Sequence, residues 1–234
     1  MGMVSKVKVL FTMPMAVIEH DGSGARMSIR YEHIQMDMDA PMFGKVTYDS
    51  DDPSASSAMM GAMFDEVMGA LLDAEITATY DELGKMVSMT GFDLSGLSSG
   101  GQGDPASSAM QGLSYSFAPL PKKKVGVGDS WDTEMDIGGF MKAPTTYTVD
   151  RITDDNVYLK LDGTITGSRT EEGAEITISG TQTGTTVIER ATGMALESNI
   201  KQDLDMNVSQ MGMKQSMNTI SNVTVKTTPS TNPL

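Results

Sequence analysis

Leu196-Glu197-Ser198-Asn199-Ile200-Lys201-Gln202-Asp203-Leu204-Asp205-Met206-Asn207-Val208 carries its large apolar side chains on even positions: Leu196, Ile200, Leu204, Met206 and Val208. Side chains alternate between the two faces of an extended strand, so this spacing describes a ribbon with one buried and one wet face. After a turn near Ser209-Gln210 the odd positions take over with Met211, Met213, Met217, Val223 and Val225. Working backwards, Val157-Tyr158-Leu159-Lys160-Leu161 keeps odd positions apolar through Gly163 to Ile165. Turn formers separate these runs at Asp154-Asp155-Asn156, Glu171-Glu172-Gly173 and Thr192-Gly193. Residues 144–226 therefore read as a meander of about five long antiparallel strands, rich in the Thr, Val and Ile that strands favour.

The first half follows the same rule with shorter strands. Residues 6–19 and 25–39 flank the turn Asp21-Gly22-Ser23-Gly24, as in a hairpin. Within the second run the apolar face moves from Met27, Ile29 and Tyr31 to Ile34, Met36 and Met38, a change of parity that predicts a β-bulge near His33. A further strand is expected over 44–48, and a hairpin from 76–80 and 85–91. Met60, Met63, Phe64, Val67 and Leu71 recur at spacings of three and four behind Asp52-Pro53-Ser54, which predicts a helix lying on the sheet. Residues 95–103 are Gly/Ser-rich, and 106–113 suit a second short helix. The expected class is α+β and mostly β: a large curved antiparallel sheet, half-barrel-like, covered by one or two helices. A single domain over 1–234 is expected, with an N-terminal half 1–94, a flexible loop 95–105 and the β meander 113–226.

Composition narrows the partners. The 234 residues carry 17 Lys and Arg against 31 Asp and Glu, a net charge of −14. Such a field repels phosphate backbones and anionic headgroups, which argues against nucleic acid as a partner. No stretch approaches the roughly 20 apolar residues of a membrane-spanning helix. The start, Met1-Gly2-Met3-Val4, lacks the layout of a signal peptide, so export requires that a signal has been removed. The absence of cysteine suits the cytosol and a disulfide-free periplasmic protein equally.

Little in the chain points to catalysis. Only two histidines exist, His20 and His33, and neither lies beside a nucleophile-elbow pattern; both read as polar turn or bulge residues. Gly100-Gly101-Gln102-Gly103 lacks the Lys-Ser/Thr of a phosphate loop. Asp49, Asp51 and Asp52 do not follow the EF-hand order and read as a solvated acidic turn before a helix. No catalytic residue, metal site or cofactor is expected. The 22 methionines are the unusual feature. Met13-Pro14-Met15, Met36-Asp37-Met38 and Met211-Gly212-Met213 place pairs of thioethers two residues apart, which serves Cu(I) ligation and core packing alike. Packing is the preferred reading. Met36, Met38, Met60, Met63, Phe64, Met206, Met211 and Met213 are then the candidate lining of an apolar cavity.

Leu120-Pro121-Lys122-Lys123-Lys124-Val125-Gly126-Val127-Gly128-Asp129-Ser130-Trp131 resembles the "LP…V.vGDsW" stretch of a family of exported bacterial proteins of uncharacterised function. Tyr48-Asp49-Ser50-Asp51-Asp52-Pro53 and the Thr192-Gly193 turn before a long strand are similar to that family too. The resemblance implies a secreted, periplasmic or lipid-anchored envelope protein, and by analogy the curved sheet of periplasmic lipoprotein carriers. It brings no catalytic residues. Three functions follow as expectations. The first is a non-enzymatic envelope protein that carries a lipid-like or hydrophobic small molecule in a Met-lined cavity. The second is a fully packed module that recognises an envelope protein partner. The third and weakest is a Cu(I)-binding protein.

Overall fold

A computed structural model describes residues 4–40, 44–52, 68–91, 118–137, 140–171, 173–210 and 213–228. The chain forms two compact units, one of Val7–Leu120 with Thr228–Leu234 and the other of Met1–Lys6 with Pro121–Thr227. Antiparallel strands dominate both, as the alternation predicts.

In the first unit, β1 (Val4–Thr12, of which the last six residues belong here) and β2 (Met15–His20) are separated by Met13-Pro14. The run expected over 6–19 is thus two strands, because Pro14 has no N–H to donate to a ladder. β3 (Gly24–Ile29) and β4 (His33–Ala40) are likewise separate, broken over 30–32. The change of parity near His33 is therefore a break and not a bulge. Its cause is a change of partner: β3 pairs with β2 and with β6 (Ile76–Asp81), whereas β4 pairs with β5 (Gly44–Asp49). The broken segment is held by Arg30 N–H donating to Pro14 O and Glu32 N–H donating to Thr12 O. β7 (Met86–Thr90) completes a four-stranded sheet in the order β2-β3-β6-β7.

The core of this unit holds Met27, Ile29, Tyr31, Ile34, Met36, Ile76 and Tyr80. Phe11 meets Tyr31 edge-on at 5.4 Å. Of the helix expected before β6, residues 68–72 are described and helical, with Met68 and Leu71 fully buried. Its earlier turns, the glycine-serine stretch and the helix expected over 106–113 lie outside the described residues.

The second unit is built on six sequential antiparallel strands: β8 (Ser130–Ile137), β9 (Met141–Ile152), β10 (Asn156–Glu171), β11 (Ala174–Glu189), β12 (Ala195–Gln210) and β13 (Met213–Lys226). The anticipated meander over 144–226 is β9 to β13, entered three residues earlier. Gly173 and Gly193 turn the chain with φ of 78° and 76°, at two of the turn signals. Gln210 pairs with Met213 and β12 runs on through Ser209-Gln210, where a turn was expected. At the other edge, Val4 and Ser5 of β1 run parallel to Asn218 and Thr219 of β13.

The Gly128-Asp129-Ser130-Trp131 segment starts this sheet. Gly128 has φ of 88° and its N–H donates to Val149 O, while Val149 N–H donates back to Asp129 O. The Asp129 carboxylate accepts from Gly126 N–H at 2.8 Å, closing the turn. Trp131 then stacks on Tyr147, with ring centroids 5.7 Å apart.

Candidate functional site

One face of the six-stranded sheet carries the inward residues of every strand, and a row of polar side chains crosses it. The register places Thr133, Thr145, Gly163, Gln182, Gln202 and Ser221 side by side from β8 to β13. Thr145, Gln182 and Gln202 are 5%, 1% and 1% exposed. Burying such groups is costly unless they are hydrogen-bonded, and these are. Ser221 Oγ donates to Gln202 Oε1, Gln202 Nε2 to Gln182 Oε1, Gln182 Nε2 to Thr145 Oγ1, and Thr145 Oγ1 to Ala143 O. The four bonds run head to tail from β13 to β9, with Gln202, Gln182 and Thr145 each accepting on one side and donating on the other.

This row divides the face. On one side Tyr147, Val149, Leu159, Leu161, Ile188 and Ile200 are at most 3% exposed. Burial there pushes the Tyr147 phenol up to about 12. On the other side Ala143 and Ile165 are buried, with Met135, Met141, Ile178 and Leu204 packed around them only partly covered. The next row of the register is Met141, Gly167, Ile178, Met206 and Met217, and all five are half-buried. A half-covered band of thioethers and Ile, bounded by a buried polar row, is an adaptable apolar surface.

Met206 lies in this band. Met36 is fully buried in β4 of the other unit, and Met38 pairs through its backbone with Val46 of β5. Met213, which opens β13, is 73% exposed. Met60, Met63, Phe64 and Met211 lie outside the described residues. Of the Met-x-Met pairs, Met13 and Met15 flank the proline break and are half-buried.

The polar row escaped the sequence reading, although its signal was present. The apolar parity of β12 skips position 202, and Gln182 occupies the inward parity of β11 between Gly180 and Gly184. Taken alone, each looks like an interruption. Only the register aligns them.

A second cluster lies in the first unit. His33 opens β4, Asp49 ends β5 and Asp51 follows in the turn. His33 Nε2 lies 2.9 Å from Asp49 Oδ1 and 3.8 Å from Asp51 Oδ2. Asp49 Oδ1 also accepts Asp51 N–H, and the His33 hydrogen bond, followed by this one, holds the Asp49 carboxyl below the usual range.

The fold and these sites define an acidic, mostly antiparallel β protein with a large sheet whose inner face is part apolar and part polar. The chain belongs to the family of unknown function DUF6263, whose profile matches residues 22–95 and 106–195. No curated protein and no solved structure matches it significantly. Among the described residues no helix is long and apolar enough to cross a membrane.

Proposed function

We propose that this protein is an exported, non-enzymatic component of the bacterial cell envelope that binds a lipid-like or other hydrophobic molecule on the six-stranded sheet. The observation that carries this reading is the half-buried row Met141-Gly167-Ile178-Met206-Met217. Four half-covered apolar side chains in a row that spans five strands offer contact area to a flexible chain, and methionine adapts to its shape. At Gly167 the Met141 side chain leans over the β10 backbone, its Cγ 2.7 Å from where a Cβ would stand. The hydrogen-bonded Gln and Thr side chains, one intervening row of side chains further along the same face, set a polar limit on one flank. Envelope residence is supported by the resemblance of the Leu120–Trp131 stretch to exported proteins.

The test is native mass spectrometry and organic extraction of the purified chain, followed by titration with a fluorescent fatty acid. Saturable binding is expected, weakened at least about tenfold by Met206→Glu together with Met217→Glu, which put charge into the apolar row. Unchanged binding in that variant, or none in the wild type, removes the reading.

A second reading rests on the four-stranded sheet. Val17 and Ile18 on edge strand β2 are 56% and 51% exposed, and Val87 on edge strand β7 is 66% exposed. Apolar residues on open edges suit pairing with an envelope protein. Retention of one specific protein from envelope extracts, lost in Val17→Lys with Val87→Lys, would favour this interaction module.

A further inference from the structure

Asp49 and Asp51 share one acidic turn and His33 lies sixteen residues before Asp49, yet each presents one ligand-type atom, and the three atoms lie within 4.8 Å of one another. A first-row divalent ion bonds imidazole nitrogen and carboxylate oxygen at about 2.0–2.2 Å, so neighbouring donors around it stand about 3–3.5 Å apart. The observed separations from His33 Nε2, 2.9 Å to Asp49 and 3.8 Å to Asp51, bracket that spacing.

The scaffold sets these positions through Ser50, which lies between the two aspartates. Ser50 N–H donates to Ile34 O and Ser50 Oγ accepts Ile34 N–H, both at 3.0 Å, tying the acidic turn to the residue after His33. His33 and Asp49 are about a quarter exposed, whereas Asp51 is 72% exposed. The two sheltered donors are therefore held in place, while the outer carboxylate can close on an ion and leave its remaining positions to water.

We propose that His33, Asp49 and Asp51 form a binding site for one divalent transition-metal ion, of which Zn²⁺ is the best match. One imidazole with two carboxylates suits Zn²⁺, Co²⁺ or Mn²⁺, whereas Ca²⁺ and Mg²⁺ take oxygen ligands. Binding replaces the hydrogen bond between His33 and Asp49 by two bonds to the metal, and it neutralises two carboxylates in a chain of net charge −14. The site is independent of the apolar row and of the ligand proposed for it.

The chain has two histidines, which makes the test direct. Zn²⁺ is titrated into the full-length, chelator-washed protein while both imidazoles are followed by long-range ¹⁵N NMR, and affinity is measured calorimetrically. One equivalent of Zn²⁺ is expected to shift the His33 ring and leave His20 unmoved. Asp51→Asn is expected to weaken binding about tenfold or more, since even outer partners of a metal ligand are worth that much. His33→Gln should abolish the site. The proposal is overturned if both rings shift together, if His33→Gln binds Zn²⁺ as the wild type does, or if excess Mg²⁺ displaces Zn²⁺ as readily as Zn²⁺ itself. Any of these would mark non-specific attraction to acidic groups.

Discussion

Gln182 on β11 donates to Thr145 on β9 across 2.6 Å, although β10 runs between them. The bond is possible because the residue of β10 that separates them is Gly163, paired on one side with Thr145 and on the other with Gln182. With no side chain there, the amide lies over the β10 backbone and closes the polar row. The same glycine that would weaken an ordinary strand is here the gap through which the row passes.

A Cβ on residue 163 would stand 2.6 Å from Pro144 O and 2.9 Å from Thr145 Oγ1. Gly163→Ala is therefore expected to destabilise the protein by about 1–3 kcal/mol, despite the gain in strand propensity. Gly126→Ala, where the nearest atom is 3.9 Å away, is expected to change stability by less than about 0.5 kcal/mol. Urea midpoints of the two variants give the comparison, and equal midpoints would refute the role of the gap.

Gln182→Leu removes the acceptor of Gln202 Nε2 and the donor to Thr145 Oγ1 in a buried site, and a cost of about 1–3 kcal/mol is expected. Gln182→Leu with Gln202→Leu removes both amides, while Thr145 keeps its bond to Ala143 O. The double variant should cost less than the sum of the singles, with a coupling of about 0.5–3 kcal/mol in a double-mutant cycle. Strict additivity would mean that the glutamines act separately.

Burial raises the phenols of Tyr80 and Tyr147 to about 12, and that of Tyr31 further still, where Tyr80 adds to the effect. A group whose folded pKa is raised contributes its stability below the unfolded value and loses it as pH climbs through the folded one. Stability is thus expected to hold to about pH 10 and to fall between about 10 and 12. Absorbance at 295 nm should show these three tyrosines ionising only with unfolding. Their reversible titration near pH 10 in the folded protein would contradict the burial.

Asp49 supplies the acid limb. Its folded pKa lies below the ordinary 3.8, first because His33 bonds to it. A depressed carboxyl contributes above the unfolded pKa and is lost as pH falls through the folded value. In chelator-treated protein, His33→Gln should raise the Asp49 pKa, read by carboxyl NMR, and flatten the loss of stability below about pH 4. An unmoved Asp49 titration would show that His33 does not hold it.

Much of the fold was legible in particular residues. Odd parity from Val157 to Ile165 placed Leu159, Leu161 and Ile165 in the core, where each is at most 3% exposed. Gly173 and Gly193 marked turns that need positive φ. Less legible was the segment around His33, where one parity change fits a bulge or a change of partner strand, and local sequence does not state which strand pairs with which. His33 and Asp49 illustrate the same limit: sixteen residues apart, they meet because β4 folds back on β5.

Alternation and turn chemistry, read from the chain alone, determined that this protein is built of antiparallel strands and which face of each strand turns inward, because side-chain direction along a strand repeats every two residues. Cross-strand neighbours depend on register, which is a property of pairs of strands. Tertiary structure alone therefore decided that Thr145, Gln182 and Gln202 join over Gly163, that Met141, Met206 and Met217 share a row, and that one histidine faces two aspartates.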